Sequence, residues 1–517
     1  MHEVRLLLAL LLFVLLPFSG HAQKGVRRGC CTPHPTDEVT AARRDVQRRL
    51  QIIDTEWDAT RTYKQLVILI SFSDTDFQME NPRETYDRMF NEKGYNQGEG
   101  AGSVADYFRD QSQGLFNIKF DVYGPYRVNS KAQPYENPTE ETVNYGTSVL
   151  REATNLFLQE NGELDYSPYD WNGDGYLEQV IYVCAGYGGN QDDEKCYGHI
   201  WPNTSYFAFI LTPDGKKIQN YTASAELWTS NTSCGIGTIC HEFSHSLGLP
   251  DIYPVNGWAY STADEWDLMD GGNFTNSGWC PPNYTAMEKM LMGWLTPTEL
   301  TEATTITGMK PVDDGGKAYI IKHTNAEYLL LENRQWAGWD AGLPGKGLVI
   351  YHVDYLKSAW SGNAVNNTKN HLRFDLVHAD NKDYAAWRVI IGSKNWYADA
   401  AKYMHNRFLS TSPYPYTSDD ATQTNRVLTD NSTPATVMYN ENASNSTLLS
   451  KPITNIQMSD DGLISFDFMG DDPTGIRNLT PVFTPVNDGC LIDLQGRRVE
   501  RPSKGLYIQN GKLFVIK

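Results

Sequence analysis

Beyond its opening residues the chain lacks any apolar run near the ~20 residues a membrane-spanning helix needs, so its body offers no candidate anchor. It also lacks a basic excess: 44 Lys and Arg stand against 63 Asp and Glu, a formal charge of -19. A surface that neutralises phosphates needs the opposite balance, which excludes nucleic acid as the expected partner. Cysteine is sparse, at 8 in 517 residues, too few for a fold held together by disulfides. One or two bridges remain compatible with that number, the nearest-neighbour pairings being Cys184 with Cys196 and Cys234 with Cys240. No internal repeat is visible, which argues against a solenoid.

What is present begins with Arg5 followed by LLLALLLFVLLPF, then small and polar residues through Gly20, His21 and Ala22. A charged start, a short apolar core and a small-residue end predict a signal peptide over residues 1–22, and hence an exported mature protein. Residues 23–62 are basic and helix-prone (AARRDVQRRL) and fit a pro-segment or linker. Over residues 63–300, buried strands (LVILISF, QVIYVCAGY) are interspersed with helical patterns (SVADYFRDQ, VLREATNLFLQ), which predicts sheet and helices sharing one core. Residues 301–470 change to short strands between turns (KAYIIKH, EYLLLE, GLVIYHVD, GLISFDF), an antiparallel pattern read as a β-sandwich-like domain. A Thr/Ser/Asn-rich stretch between Leu409 and Ser450 reads as irregular loop inside it. After DDPTG, residues 471–517 read as a small β unit, and the whole chain is classed as α+β.

The most informative stretch is GTICHEFSHSLGLPDIY. Ile236, Cys240, Phe243 and Leu247 fall at helical spacing and can be buried as one stripe. His241 and His245, one turn apart, then reach the same point in space, with Glu242 beside them. Gly248 accepts the left-handed conformation that ends a helix, and the returning chain can bring Asp251 beneath the histidines. Two nitrogens and one oxygen suit a zinc ion with its fourth position open, the pattern of a catalytic site. Zinc lowers the pKa of its water to roughly 7, Glu242 would take the proton, and a polarised carbonyl would be attacked. Downstream, WDLMDGG places Met269 in a turn of the kind that floors the zinc in metzincin-type proteases, and Tyr284 is a candidate for holding the oxyanion.

Other clusters carry weaker signals. DWNGDGYLE sets Asp170, Asn172, Asp174 and Glu178 at the spacing of an opening calcium loop, but Ile181 stands where the closing acid belongs. A calcium site completed by another part of the chain competes there with a plain Asp/Asn/Gly turn. Cys30 and Cys31, just past the signal peptide, are candidates for a thiolate latch on the zinc of a zymogen, against a disulfide or an incidental pair. His352, Asp354, Glu332 and Arg334, polar residues on predicted strands, are expected to bond the β region to the catalytic unit.

With these residues in view, the sequence resembles the immune inhibitor A-like secreted metallopeptidases. HEFSHSLGLPDIY matches that family's zinc motif, and KQLVILISF, GSVADYFRDQSQGLFNIKFDVYGPY, YDWNGDGYLEQVIYVCAGYG, NYTASAEL, WDLMDGG, AMEKMLMGWLTP and EYLLLENRQWAGWDAGLPGKGLVIYHVD look like its landmarks in order, over about residues 64–380. The resemblance implies a metzincin-like catalytic domain with a mixed sheet and an active-site helix, zinc on His241, His245 and Asp251, and Glu242 as base. Ser244 and Ser246 depart from the Gly and Asp often found there, at positions that are not ligands. The end, CLIDLQGRRV to KGLYIQNGKLFVIK, resembles sorting domains of bacterial type IX secretion substrates, which implies a Gram-negative exporter as partner. The expected activity is zinc-dependent hydrolysis of extracellular proteins. The rival from another class is a secreted binding or adhesion protein with a silent zinc site.

Overall fold

In the computed structural model of the chain, residues 57–133, 140–190, 200–228, 232–256, 262–368, 371–382 and 409–470, together with the strands between 491 and 516, are described. The signal peptide, almost all of the pro-segment, Cys30, Cys31 and Cys196 lie outside them. Contacts divide the chain after Gly470.

The N-terminal half is built on a five-stranded sheet. Its strands are β1 (Thr62–Ser71), β2 (Asn117–Arg127), β3 (Val180–Tyr187), β4 (Asn203–Leu211) and β5 (Lys217–Leu227), in the order β2-β1-β3-β5-β4. All neighbours are parallel except β4, which runs antiparallel to β5 along one edge. Both faces of β1 are covered, which is why it reads as an unbroken apolar run rather than an alternation. Val67 and Leu69 pack with helices α1 (Pro82–Asn91) and α2 (Val104–Gln111), whereas Leu66, Ile68 and Ile70 pack with α3 (Glu140–Glu160) through Val149, Ala153 and Phe157. Helix α2 starts on a capping box in which Ser103 and Asp106 satisfy each other's backbone N–H, supporting the helix that borders the site.

Helix α4 (Gly237–Ser246) carries the two histidines and lies on the α1/α2 face, burying Ile239, Cys240 and Phe243. Its start has no side-chain cap and packs instead against the backbone of residues 272–278. A Cβ at Gly237 would run into the carbonyl oxygen of Asn273, so only glycine fits there. Gly248 has φ +103 and turns the chain out of the helix, as the sequence predicts.

After α5 (Ala286–Leu291) the chain becomes β-rich. Strands β6 (Thr298–Glu299), β8 (Tyr319–Lys322), β9 (Glu327–Arg334), β10 (Gly347–Asp354) and β11 (Phe374–Leu376) form one sheet in the order β11-β10-β9-β8-β6. Strands β7 (Thr304–Met309), β14 (Ile453–Met458) and β15 (Ile464–Phe468) form another, and β12 (Tyr416–Thr417) pairs with β13 (Thr424–Asn425). Helix α6 (Lys357–Ser361) follows β10. Strand β9 is buried throughout because its alternate residues face two cores. Leu329 and Leu331 join the core that contains β14 and β15, whereas Tyr328 and Leu330 join the core around α2 and α4. One hydrophobic core thus takes residues from both sides of position 300.

The second unit is a four-stranded antiparallel sheet ordered β17-β16-β18-β19, made of β16 (Leu491–Asp493), β17 (Arg498–Val499), β18 (Gly505–Gln509) and β19 (Lys512–Ile516). Among the described residues no helix is long and apolar enough to cross a membrane. The described residues thus give a mixed α+β fold.

Candidate metal centre

His241, His245 and Asp251 converge, and among the described residues they are the only group of His, Cys, Asp or Glu gathered closely enough to hold a metal. His241 Nε2 lies 3.3 Å and His245 Nε2 3.2 Å from the same oxygen, Asp251 Oδ1. Each imidazole is oriented from behind. Nδ1 of His241 is 2.8 Å from the Leu268 carbonyl oxygen, and Nδ1 of His245 is 2.8 Å from that of Leu249. A carbonyl only accepts, so both rings donate Nδ1–H and turn the Nε2 lone pair toward Asp251.

Three lone-pair donors aimed at one point repel unless a cation sits among them. Asp251 Oδ1 is buried and has no hydrogen-bond partner, whereas Oδ2 is satisfied by the Asn363 amide at 2.8 Å. The donor set therefore fits a divalent metal such as zinc, with Oδ1 as the ligand atom. Burial alone would push the His245 imidazole down, but the Asp251 carboxylate outweighs it and holds the ring up at about 9. In metal-free protein a proton on His245 meets the same demand for positive charge, and a metal must displace it.

Glu242 is fully buried beside the histidines. Burial pushes its carboxyl up, while the neighbouring His241 and His245 pull it back. Its Oε2 lies 3.0 Å and its backbone oxygen 2.6 Å from the Thr204 hydroxyl, on edge strand β4. Thr204 in turn contacts Thr222 at 3.1 Å on β5, so the sheet edge directly fixes the acid.

Met269 lies buried in its turn, and that turn is bonded to the site twice. Leu268 holds His241, and the Met269 carbonyl accepts the N–H of Ile252, next to Asp251. The expectation for Tyr284 is corrected. Its hydroxyl bonds to Ser244, and its ring is buried in the core, stacked on Trp294 with centroids 5.8 Å apart. A phenol enclosed in packing, with its hydroxyl occupied, has no access to a substrate oxyanion.

The candidate calcium loop is largely closed on itself. Asn172 and Asp174 accept from the N–H groups of Asp174 and Tyr176, and Glu178 accepts from Trp171 and Asn172. Asp170 Oδ2 pairs with the Lys216 ammonium at 2.5 Å, which already supplies the compensating charge. Asp170 Oδ1 is buried without a hydrogen-bond partner, and the loop's side chains alone fall short of the six to eight oxygens that calcium takes once those bonds are made. The pairing of Cys234 with Cys240 is also corrected: both are buried free thiols, Cys240 facing the core from α4, as are Cys184 and Cys280.

Of the four polar strand residues, Glu332 and Arg334 do bond to the N-terminal half, at Ala286 N and at the Trp266 and Asn283 carbonyls. His352 and Asp354 instead bond within the β region, to Glu327, and to His371 and Arg373. Sequence reasoning missed Thr204 and Asn363. Thr204 sits in an ordinary strand, and Asn363 in an Asn-rich stretch that reads as loop, so neither carried a local signal.

The stretch that carries these features is similar to known proteins. Residues 54–292 match the model of the catalytic domain of immune inhibitor A peptidase M6. The chain is 25% identical over 258 residues to the pre-pro-metalloprotease PrtV of Vibrio cholerae, covering 41% of this chain and 28% of the relative. It is 22% identical over 279 residues to immune inhibitor A of Bacillus thuringiensis subsp. alesti, covering 44% of this chain and 39% of the relative. The chain therefore spans well under half the length of the relatives it matches. Over residues 54–292 the chain is thus similar to the catalytic domain of immune inhibitor A-type metallopeptidases.

Proposed function

We propose that the chain is an exported zinc endopeptidase acting on extracellular proteins, with His241, His245 and Asp251 as zinc ligands and Glu242 as general base. The observation that carries this reading is the convergence of both Nε2 atoms on the buried, unpartnered Oδ1 of Asp251, with Glu242 alongside. Bound zinc supplies Lewis-acid chemistry and acidifies water. Glu242 takes the proton from the attacking water and returns it to the leaving amine. Burial raises the pKa of its carboxyl, the direction that favours taking up and returning a proton. The Met269 turn keeps His241 in the metal-binding tautomer.

Around this centre, residues 1–22 serve as signal peptide and 23–62 as pro-segment, with Cys30 or Cys31 available as a zinc latch. Residues 301–470 act as a β-sandwich-like domain, and 471–517 as a sorting domain for type IX export from a Gram-negative cell. The reading as a binding or adhesion protein with a silent zinc site is not favoured, because the base is intact and held in place. Casein hydrolysis should vanish on chelation and return with zinc. Hydrolysis that survives metal removal, or a zinc-loaded protein that cuts nothing, rejects the proposal.

Thr204 is a positioning residue in this scheme. Thr204→Val keeps the shape and removes the hydroxyl, so kcat should fall about tenfold with KM little changed, the size expected for a bond to a charged group. Thr204→Ser should restore most of it. Equal loss in both variants would mean that the methyl packing, not the hydroxyl, matters.

A further inference from the structure

Asp251 lies on an irregular loop, where a carboxylate has rotational freedom that a helix-borne histidine lacks. Its restraint comes from 112 residues further along the chain. Asn363 donates its amide to Asp251 Oδ2 at 2.8 Å and accepts the Asp251 N–H at 2.6 Å, closing a ring that reads side chain and backbone together. With Oδ2 committed, Oδ1 is the oxygen left facing the imidazoles. A neutral amide does this without bringing a second negative charge against the carboxylate.

The neighbours of Asn363 hold the same loop. Asn366, fully buried, donates to the Ile252 carbonyl at 2.8 Å and to Thr262 Oγ1 at 3.1 Å, while accepting from the N–H groups of Arg373 and Phe374 at the start of β11. Asn367 accepts from Asn256 through both its side chain and its carbonyl. Between them, Val365 is buried in the shared core. Three asparagines thus tie the segment that follows α6 to the loop bearing the third metal donor. This segment lies outside residues 54–292, the stretch that matches the peptidase domain.

We propose that Asn363, fixed by Asn366 and Asn367, is a positioning residue of the metal centre, so that tight zinc binding depends on the β-rich half of the chain. This rests on the reading of His241, His245 and Asp251 as zinc ligands. Ligand-orienting partners of this kind are typically worth ten- to a hundredfold in metal affinity.

The test is zinc affinity of the full chain, measured by competition with a chromophoric chelator. Asn363 has φ +49, so Asn363→Gly keeps a backbone that glycine readily adopts and deletes only the amide. The variant should bind zinc about ten- to a hundredfold more weakly, and its cobalt-substituted form should show altered ligand-field bands. Wild type that binds zinc tightly with Asn363→Gly within twofold of it, or with an unchanged cobalt spectrum, overturns this proposal alone. Wild type that takes up no zinc overturns the metal reading and this one with it. Should Asn363→Gly fail to fold, Asn363→Ser gives the same reading, since its short hydroxyl cannot span both contacts.

Discussion

Glu242→Gln should lower peptide hydrolysis by about a hundred- to ten-thousandfold while leaving zinc content and fold intact. Glutamine has the same shape and can still accept the Thr204 hydrogen bond, which the structure places at 3.0 Å from Oε2. It cannot take up a proton, so only the shuttle is lost. Removing a buried carboxyl that burial has pushed up should not unfold the protein, because the neutral amide suits that environment at least as well. Paired measurements of turnover and bound zinc give the answer. A variant that keeps a tenth or more of wild-type turnover would remove Glu242 from the mechanism. Wild type as silent as the variant, on any protein substrate, would favour the binding reading.

The second large effect lies in the core. Arg334→Met should destabilise the protein by about 3–5 kcal/mol, the usual cost of breaking one side of a buried ion pair. Arg334 has nearly no exposure, and all five of its N–H donors are used. Nε and Nη2 grip Asp340 at 2.6 and 2.7 Å, Nη1 reaches Glu332 at 3.0 Å, and the remaining donors bond the Trp266 and Asn283 carbonyls. Methionine fills the space but strands the two carboxylates, and lysine lacks the planar fork, so Arg334→Lys should recover little. Trp266 lies just before the Leu268 carbonyl that orients His241, so zinc affinity should weaken in parallel. The shift in the denaturation midpoint measures the effect. A loss below about 1 kcal/mol would show that the neighbouring acids neutralise themselves once the guanidinium is gone.

These effects bear on how the two halves of residues 57–470 are related. Glu332 also accepts the N–H of Ala286 at the start of α5, and Asp340 that of Asn283. With the three asparagines at 363–367, they make the β-rich half a structural partner of the half that carries His241, His245 and Asp251.

The sequence was most legible where the chemistry is local. One helical turn separates His241 from His245, and a glycine ends the helix, so spacing alone placed both donors and the returning Asp251. Unbroken apolar runs such as LVILISF marked strands buried on both faces, as β1 is. Spacing was misleading where it ignored what competes for the same groups. Asp170, Asn172, Asp174 and Glu178 have the order of a calcium loop, but Lys216 and the loop's own N–H groups engage most of their oxygens. Tyr284 follows the Met269 turn in sequence, but its ring is packed in the core with its hydroxyl on Ser244.

The sequence by itself determined that His241, His245 and Asp251 meet beside Glu242 and that sheets and helices mix, because each depends on residues within a few turns or on periodic burial. Only the tertiary structure decided which oxygen of Asp251 faces the histidines, which hydroxyl fixes Glu242 and which carbonyls set the imidazole tautomers. Those choices are made by Asn363, Thr204, Leu268 and Leu249, and the two most distant reach the site only through the packing of separate sheets. A hydrogen bond is directional and short, so its partner is known only when the chain has brought two remote segments within about 3 Å.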